Sequence, residues 1–284
     1  MAATPLDGRA RAQTRLRWEL LSGLVSKDLK VKYQGSVLGF VWSLANPLLL
    51  LVVYTFVFQV VLKSGIPQFG FYLLAGLLVW NAFAGAVSTA TGAVVGNAGL
   101  VKKVRFPLSV LPLSAVGFAL VHFVLQLFVL LVAMSVAGQT QFFGPHLLLA
   151  VPAIAVAITF TVALSFLVAG LNVRYRDTQH VVEVALMAGF WVNPIVYSVS
   201  LVRGELGSLY WAYFLNPMAG VVVTMQRALY ARNPVLPGGS QVLAADGYGF
   251  YLEKLALGGA VSVALLVLGV WVYKRLSADF AEEL

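Results

Sequence analysis

The chain contains no cysteine. A disulfide scaffold is thereby excluded, as is any metal or redox site built on thiolates. Charge is also scarce: 11% of residues are Asp, Glu, Lys or Arg, 60% are hydrophobic, and mean hydropathy is +0.89. Soluble domains carry roughly a quarter of their residues as charge, so this composition points to a polytopic membrane protein. Catalytic motifs are missing as well. No lysine directly follows a glycine, so there is no G-x-x-x-x-G-K-[ST] phosphate loop, and ATP cannot be held in that way. H-E-x-x-H and G-x-S-x-G are absent, and His122, His146 and His180 lie in different segments. The apolar runs hold no chain of acids of the kind that relays protons or sodium ions; Glu183 stands at the edge of one. Neither an enzyme nor an ion-driven carrier fits, which leaves a passive membrane component driven from elsewhere. No short apolar core lies near the N-terminus, so a cleavable signal is not expected.

Apolar runs of about 20 residues read as membrane helices. Six are expected, at about 37–62, 71–94, 108–137, 147–171, 181–202 and 253–273, with Gly70, Gly138, Gly144-Pro145 and Pro152 at the breaks. The fold class is therefore all-α, integral to the membrane. Most of the 19 Lys and Arg fall on one side: seven between Arg9 and Lys32, then Lys102, Lys103 and Arg105, Arg174 and Arg176, and Lys274 and Arg275. The positive-inside rule places that side, and both termini, in the cytoplasm. This rule and contact with anionic lipid account for the net charge of +8; nucleic acid is not needed as a partner.

Three pieces stand outside the spans on the inner side. TRLRWELLSGLVSKDLKVKYQ groups Trp18, Leu21, Val25 and Leu29 on one helical face, as an amphipathic interface helix does. It is either a lipid-surface anchor or a lever that docks a partner. GNAGLVKKVRFPLS (96–109) is short and basic, yet carries Leu100, Val101, Val104 and Phe106; it reads as a loop obeying topology or as a knob for a partner. LNVRYRDTQH places Asp177 near Arg174 and Arg176, where a small ion-pair cluster is expected. On the outer side, the connection 203–252 contains an apolar stretch, 208–230, broken at Asn216-Pro217. It is too short to cross, and reads as a re-entrant lid or as packing helices.

Two spans share a theme. WSLANPLLLLVVYTFVF (42–58) sets Phe40, Pro47, Leu51, Tyr54 and Phe58 on one face, with Trp42 and Phe56 opposite. GFWVNPIVYSVS (189–200) sets Glu183, Phe190, Asn193 and Tyr197 on one face. Each proline frees a carbonyl four residues back, at Ser43 and Phe190, and favours a kink. Freed carbonyls are tolerated in a membrane where protein or water satisfies them. Aromatic, hydroxyl and amide groups suit a path along which a glycan slides; ordinary packing is the bland reading. His122, inside the third span, reads as a neutral histidine bonding a neighbouring helix. The small residues Gly85, Ser88, Gly92 and Gly96 read as a close-packing face.

DLKVKYQGSVLGFVWSLANPLLLLVVYTFVF (28–58), LVKKVRFPLSVLPL (100–113), LNVRYRDTQHVVEVALMAGFWVNPIVYS (171–198) and YFLNPMAGVVVTMQRALY (213–230) resemble, in order, the transmembrane subunits of bacterial ABC-2-type polysaccharide exporters, the Wzm/TarG-like permeases. The resemblance implies a homodimer of six-span subunits in the bacterial inner membrane. Each subunit would pair with one copy of a separate cytoplasmic ABC ATPase, which binds ATP and Mg; no cofactor belongs to this chain. The cargo it implies is a lipid-linked glycan such as an O-antigen, a teichoic acid or a galactan, the last favoured by the Ala- and Arg-rich composition. It makes Phe40, Tyr54, Phe58, Phe190, Asn193 and Tyr197 channel-lining. It assigns Trp18, Leu21, Val25, Leu29, Leu100, Val101, Val104, Arg105 and Phe106 to ATPase coupling. Lys27, Lys30, Lys32, Arg174 and Arg176 form the headgroup entrance, and Tyr213, Asn216, Pro217 and Arg227 an external gate formed by short helices between spans five and six. A permease for small apolar drugs or lipids, or a non-transporting scaffold, are the alternatives.

Overall fold

The computed structural model describes residues 5–34, 41–63, 65–103, 106–139, 142–233, 241–244 and 247–284. Its regular elements are helices. Helix α1 (Pro5–Tyr33) precedes α2 (Val41–Tyr54), which continues directly as a π-helix over Thr55–Val61. Then come α3 (Phe69–Ala93), the short α4 (Ala98–Lys103), α5 (Val110–Val136), α6 (Ala150–Arg174) and α7 (Thr178–Val192). The chain ends with α8 (Val199–Leu206), α9 (Tyr210–Tyr213), α10 (Pro217–Leu229), α11 (Tyr248–Leu276) and α12 (Phe280–Glu283).

A helix that is apolar all round is one surrounded by other helices. FGFYLLAGLLVW is such a sequence, and every residue of it, Phe69 through Trp80, is buried at the start of α3. Helices α2, α5, α6, α7 and α10 pack around α3, and Phe83 stacks on Phe160 of α6 with ring centroids 5.2 Å apart. Glycines permit the closest approaches. A Cβ on Gly70 would strike Leu51 and Thr55, so α2 can lie against the start of α3. A Cβ on Gly269 would strike the backbone carbonyl of Ala163, so α11 and α6 meet backbone to backbone. Gly138, at φ +72°, ends α5; the bonds Gln139 N–H to Met134 O and Gly138 N–H to Ser135 O complete a Schellman turn.

Among the described residues four helical stretches are long and apolar enough to cross a membrane: Phe69–Ala93, Val110–Val136, Pro145–Arg174 and Tyr248–Leu276. They correspond to the expected second, third, fourth and sixth spans. The other two differ from expectation. The run 181–202 is not one helix, because α7 stops at Val192 and α8 starts at Val199. The reason is local: Pro194 has no N–H to give the Phe190 carbonyl, and Asn193, the residue before it, is extended at φ −86°, ψ 145°. The proline terminates the helix where a kink was expected. In the first run the apolar helix Pro47–Val61 is shorter than a full span, and Pro47 sits inside α2 without ending it.

The outer stretch 208–230 bends by 116° between the helices ending at Tyr213 and starting at Pro217. The first half is short and partly exposed. The second half, α10, is buried on nearly all sides from Pro217 to Leu229. Its start follows capping rules: Asn216 accepts from the Met218 N–H at 3.1 Å, and Pro217 occupies the first position.

Candidate translocation surface and coupling face

The end of α7 leaves carbonyls without partners inside a membrane protein, where each must be satisfied within the chain. Tyrosine hydroxyls and side-chain amides converge there. Tyr197 Oη donates to Trp191 O at 3.0 Å and Val192 O at 2.9 Å, and Tyr213 Oη donates to Val192 O at 2.6 Å. Asn193 Nδ2 donates back to Gly189 O at 2.6 Å, and Asn216 Nδ2 donates to Asn193 Oδ1 at 3.1 Å. Gln226 Nε2 donates to Pro194 O at 2.9 Å, and Tyr72 Oη to Tyr197 O at 2.9 Å. The break is thus sewn to α3, α9 and α10.

Asn193, expected to line a channel, is buried within this subunit. It is 1% exposed, and both ends of its amide are engaged within the subunit. Tyr197 is half-buried with its hydroxyl turned to the helix end. Phe58 also turns inward, stacked on Phe69 with centroids 4.5 Å apart, and Tyr54 lies 6.2 Å from Phe58, packed against the same core. Phe190 is half-buried against the core beside Trp191. Phe40 lies outside the described residues. The outward faces of α2 with its π-helical end, and of α7, carry other residues: Leu49, Val52 and Phe56 on one, Val184, Met187 and Trp191 on the other. The face expected to hold Leu51, Tyr54 and Phe58 keeps them together, with Phe56 opposite, but it turns toward the core. Of the expected gate residues, Asn216 and Tyr213 join the network, Pro217 opens α10, and Arg227 bonds Ala231 O at 3.0 Å with its guanidinium 5.9 Å from the Tyr248 ring.

On the side expected to be cytoplasmic, Leu24, Val101 and Phe106 pack on a second core of Leu111, Phe166, Val173, Tyr273 and Phe280. Trp18 is 68% exposed, whereas Leu21, Val25 and Leu29 are half-buried; a Cβ on Gly117 would touch Val25 at 3.0 Å. Leu100 is exposed. Val104 and Arg105 lie outside the described residues. Helix α12 braces this region: Phe280 is fully buried, edge-on to Tyr273 at 5.5 Å, and Tyr273 Oη donates to Leu108 O at 2.8 Å. Tyr273→Phe is expected to cost about 1 kcal/mol, the net worth of one such bond, read as a lower midpoint of denaturant unfolding in micelles.

The expected ion-pair cluster is not formed. Arg174, Arg176 and Asp177 are all exposed, and no ion pair joins them among the described residues; hydrated charges gain little from pairing. Arg174 lies 5.9 Å from the Tyr175 ring. Lys27 pairs with Asp28 at 3.4 Å, and Lys30 is exposed. Lys32 differs: its Nζ is 2.9 Å from His122 Nε2. The neighbouring-helix partner expected for His122 is thus a lysine. The small-residue face of α3 is open, since a Cβ on Gly85, Gly92 or Gly96 would meet nothing within 4 Å.

Residues 19–230 match the family described as ABC-2 type transporter. The chain is 35% identical over 266 residues to the O-antigen export system permease protein RfbA of Myxococcus xanthus, covering 93% of this chain and 95% of that protein. Two proteins of the same name from Klebsiella pneumoniae are 32% and 30% identical over 268 residues, with the same coverage.

Proposed function

The chain belongs to the ABC-2 type transporter family, and on that basis we propose that it is the transmembrane subunit of an ATP-driven exporter of a lipid-linked polysaccharide. The observation that carries this reading is the similarity, over 93% of the chain, to permeases of O-antigen export systems. In it, two copies of the chain in a bacterial inner membrane, both termini cytoplasmic, form the channel between their α2 and α7 faces. Those faces offer exposed Phe56 and Trp191 among aliphatic residues, surfaces on which sugar C–H faces slide without being held. ATP and Mg reside in a separate cytoplasmic ATPase, two copies per exporter, because this chain has no phosphate loop. The ATPase would seat against exposed Trp18 and Leu100, and its motion would travel through Val25, Val101 and Phe106 into α5 and the Phe280 core. Lys27, Lys30, Lys32, Arg174 and Arg176 draw the anionic lipid headgroup to the inner entrance.

Depleting the protein in cells with labelled sugars tests the reading. A lipid-linked polymer is expected to build up on the cytoplasmic side, and its sugar composition names the cargo. Normal surface glycan with no such build-up would overturn it.

A further inference from the structure

A polar cavity opens on the bundle between α3 and α5. Its walls repeat every four residues, with Asn81, Gly85 and Thr89 along one helix and Phe118, His122 and Gln126 along the other, and residues at that spacing share a helix face. The cavity measures about 180 Å³. One water requires only ~10–15 Å³ on this scale, so a phosphoryl group fits with part of its hydration. The open space beside Gly85 contributes to that room.

Lys32, from the end of α1, reaches the cavity, its Nζ 2.9 Å from His122 Nε2 and 5.4 Å from the Phe118 ring centroid. His122 Nδ1 lies 3.1 Å from Phe118 O. With Nδ1–H donating there, Nε2 accepts from the ammonium, an assignment that keeps Lys32 charged and His122 neutral. Helices α3 and α5 are both span-length and apolar, and His122 lies ~18 Å along α5 from Val110 at roughly 1.5 Å per residue. Lys32 itself is exposed and lines the open rim of the cavity. The remaining polar groups on the walls, the amides of Asn81 and Gln126 and the hydroxyl of Thr89, can all donate, and among the described residues no carboxylate lines the cavity. A cation beside several donors suits phosphate oxygens.

We propose that this cavity seats the phosphate headgroup of the exported lipid, a phosphoester or diphosphate bound by Lys32 with Asn81, Thr89 and Gln126. The inference rests on the export reading and deepens it: Lys32, one of the entrance cations, lines a groove open on the surface of the bundle.

The test uses the full chain in a neutral polyoxyethylene detergent, with labelled polyprenyl diphosphate, the matching polyprenol, and inorganic pyrophosphate as competitor. The diphosphate lipid should bind at least about ten-fold more tightly than the alcohol, and Lys32→Gln should remove that advantage while Lys32→Arg keeps most of it. Gln126→Leu, remote from α1, should weaken diphosphate binding several-fold and leave polyprenol unchanged; it serves also if Lys32→Gln fails to fold. Unaltered binding in folded variants, or equal binding of alcohol and diphosphate, overturns the site. Displacement by equimolar inorganic pyrophosphate overturns the lipid source and assigns the cavity to free phosphate anions. Unaltered binding together with polymer build-up on depletion removes this site alone, whereas normal surface glycan on depletion removes the export reading and this inference with it.

Discussion

Gly269→Val is expected to abolish recovery of folded protein from the membrane. A Cβ at Gly269 would run into the Ala163 carbonyl, with the Leu167 N 3.5 Å away. Backbone atoms of two packed helices cannot swing aside as a side chain can. Overpacking a core ordinarily costs about 1–3 kcal/mol, and a clash between backbones belongs above that range, because α6 and α11 must separate along their length. Their separation would also loosen Tyr273 and Phe280, which anchor the inner core from the far end of α11 and beyond. The control is Gly259→Ala on the same helix, where the added Cβ meets Val156 at an ordinary 3.4 Å; it should be recovered like the wild type. Monodisperse yield after extraction, compared across the three proteins, is the measurement. Wild-type yield from Gly269→Val would mean that the two helices are not in backbone contact.

Asn216→Ala is expected to destabilise the outer half by about 2–4 kcal/mol, the sum of a lost helix cap and an orphaned buried acceptor. Asn216 caps α10 through its Oδ1 and bonds Asn193 through its Nδ2. Asn216→Asp separates the two roles. An aspartate still accepts from the Met218 N–H, but it offers no donor to Asn193 Oδ1. Asn193 cannot answer by turning its amide, because its Nδ2 is committed to Gly189 O at 2.6 Å. Asn216→Asp should therefore keep the cap and still lose about 1–3 kcal/mol from the Asn193 contact. Unfolding midpoints in micelles rank the three proteins as wild type, then Asn216→Asp, then Asn216→Ala. Equal midpoints for aspartate and wild type would show that the Asn193 contact carries no stability.

Several breaks in the helices were legible in the residues. The Asn-Pro pair at 193–194 marked the place of an expected kink, and the helix ends there because a residue without an N–H cannot continue the ladder; Asn216-Pro217 marked an expected break, and a helix starts there. Which way the side chains turn was not legible. Asn193 shares a helical face with Phe190 in the sequence, yet the helix ends before it and its amide turns to Gly189 and Asn216. Phe58 keeps the face it shares with Tyr54, but that face packs against the core of its own subunit.

Composition is enough to set the class of this protein: scarcity of charge forces it into lipid. Which polar groups meet is a matter of packing. Lys32 and His122 are 90 positions apart, and Asn193 and Asn216 are 23 apart. Helical periodicity reports neighbours three or four residues away and is silent about such pairs. In a membrane, buried donors and acceptors seek partners within the protein, and which ones they find depends on which helices pack together.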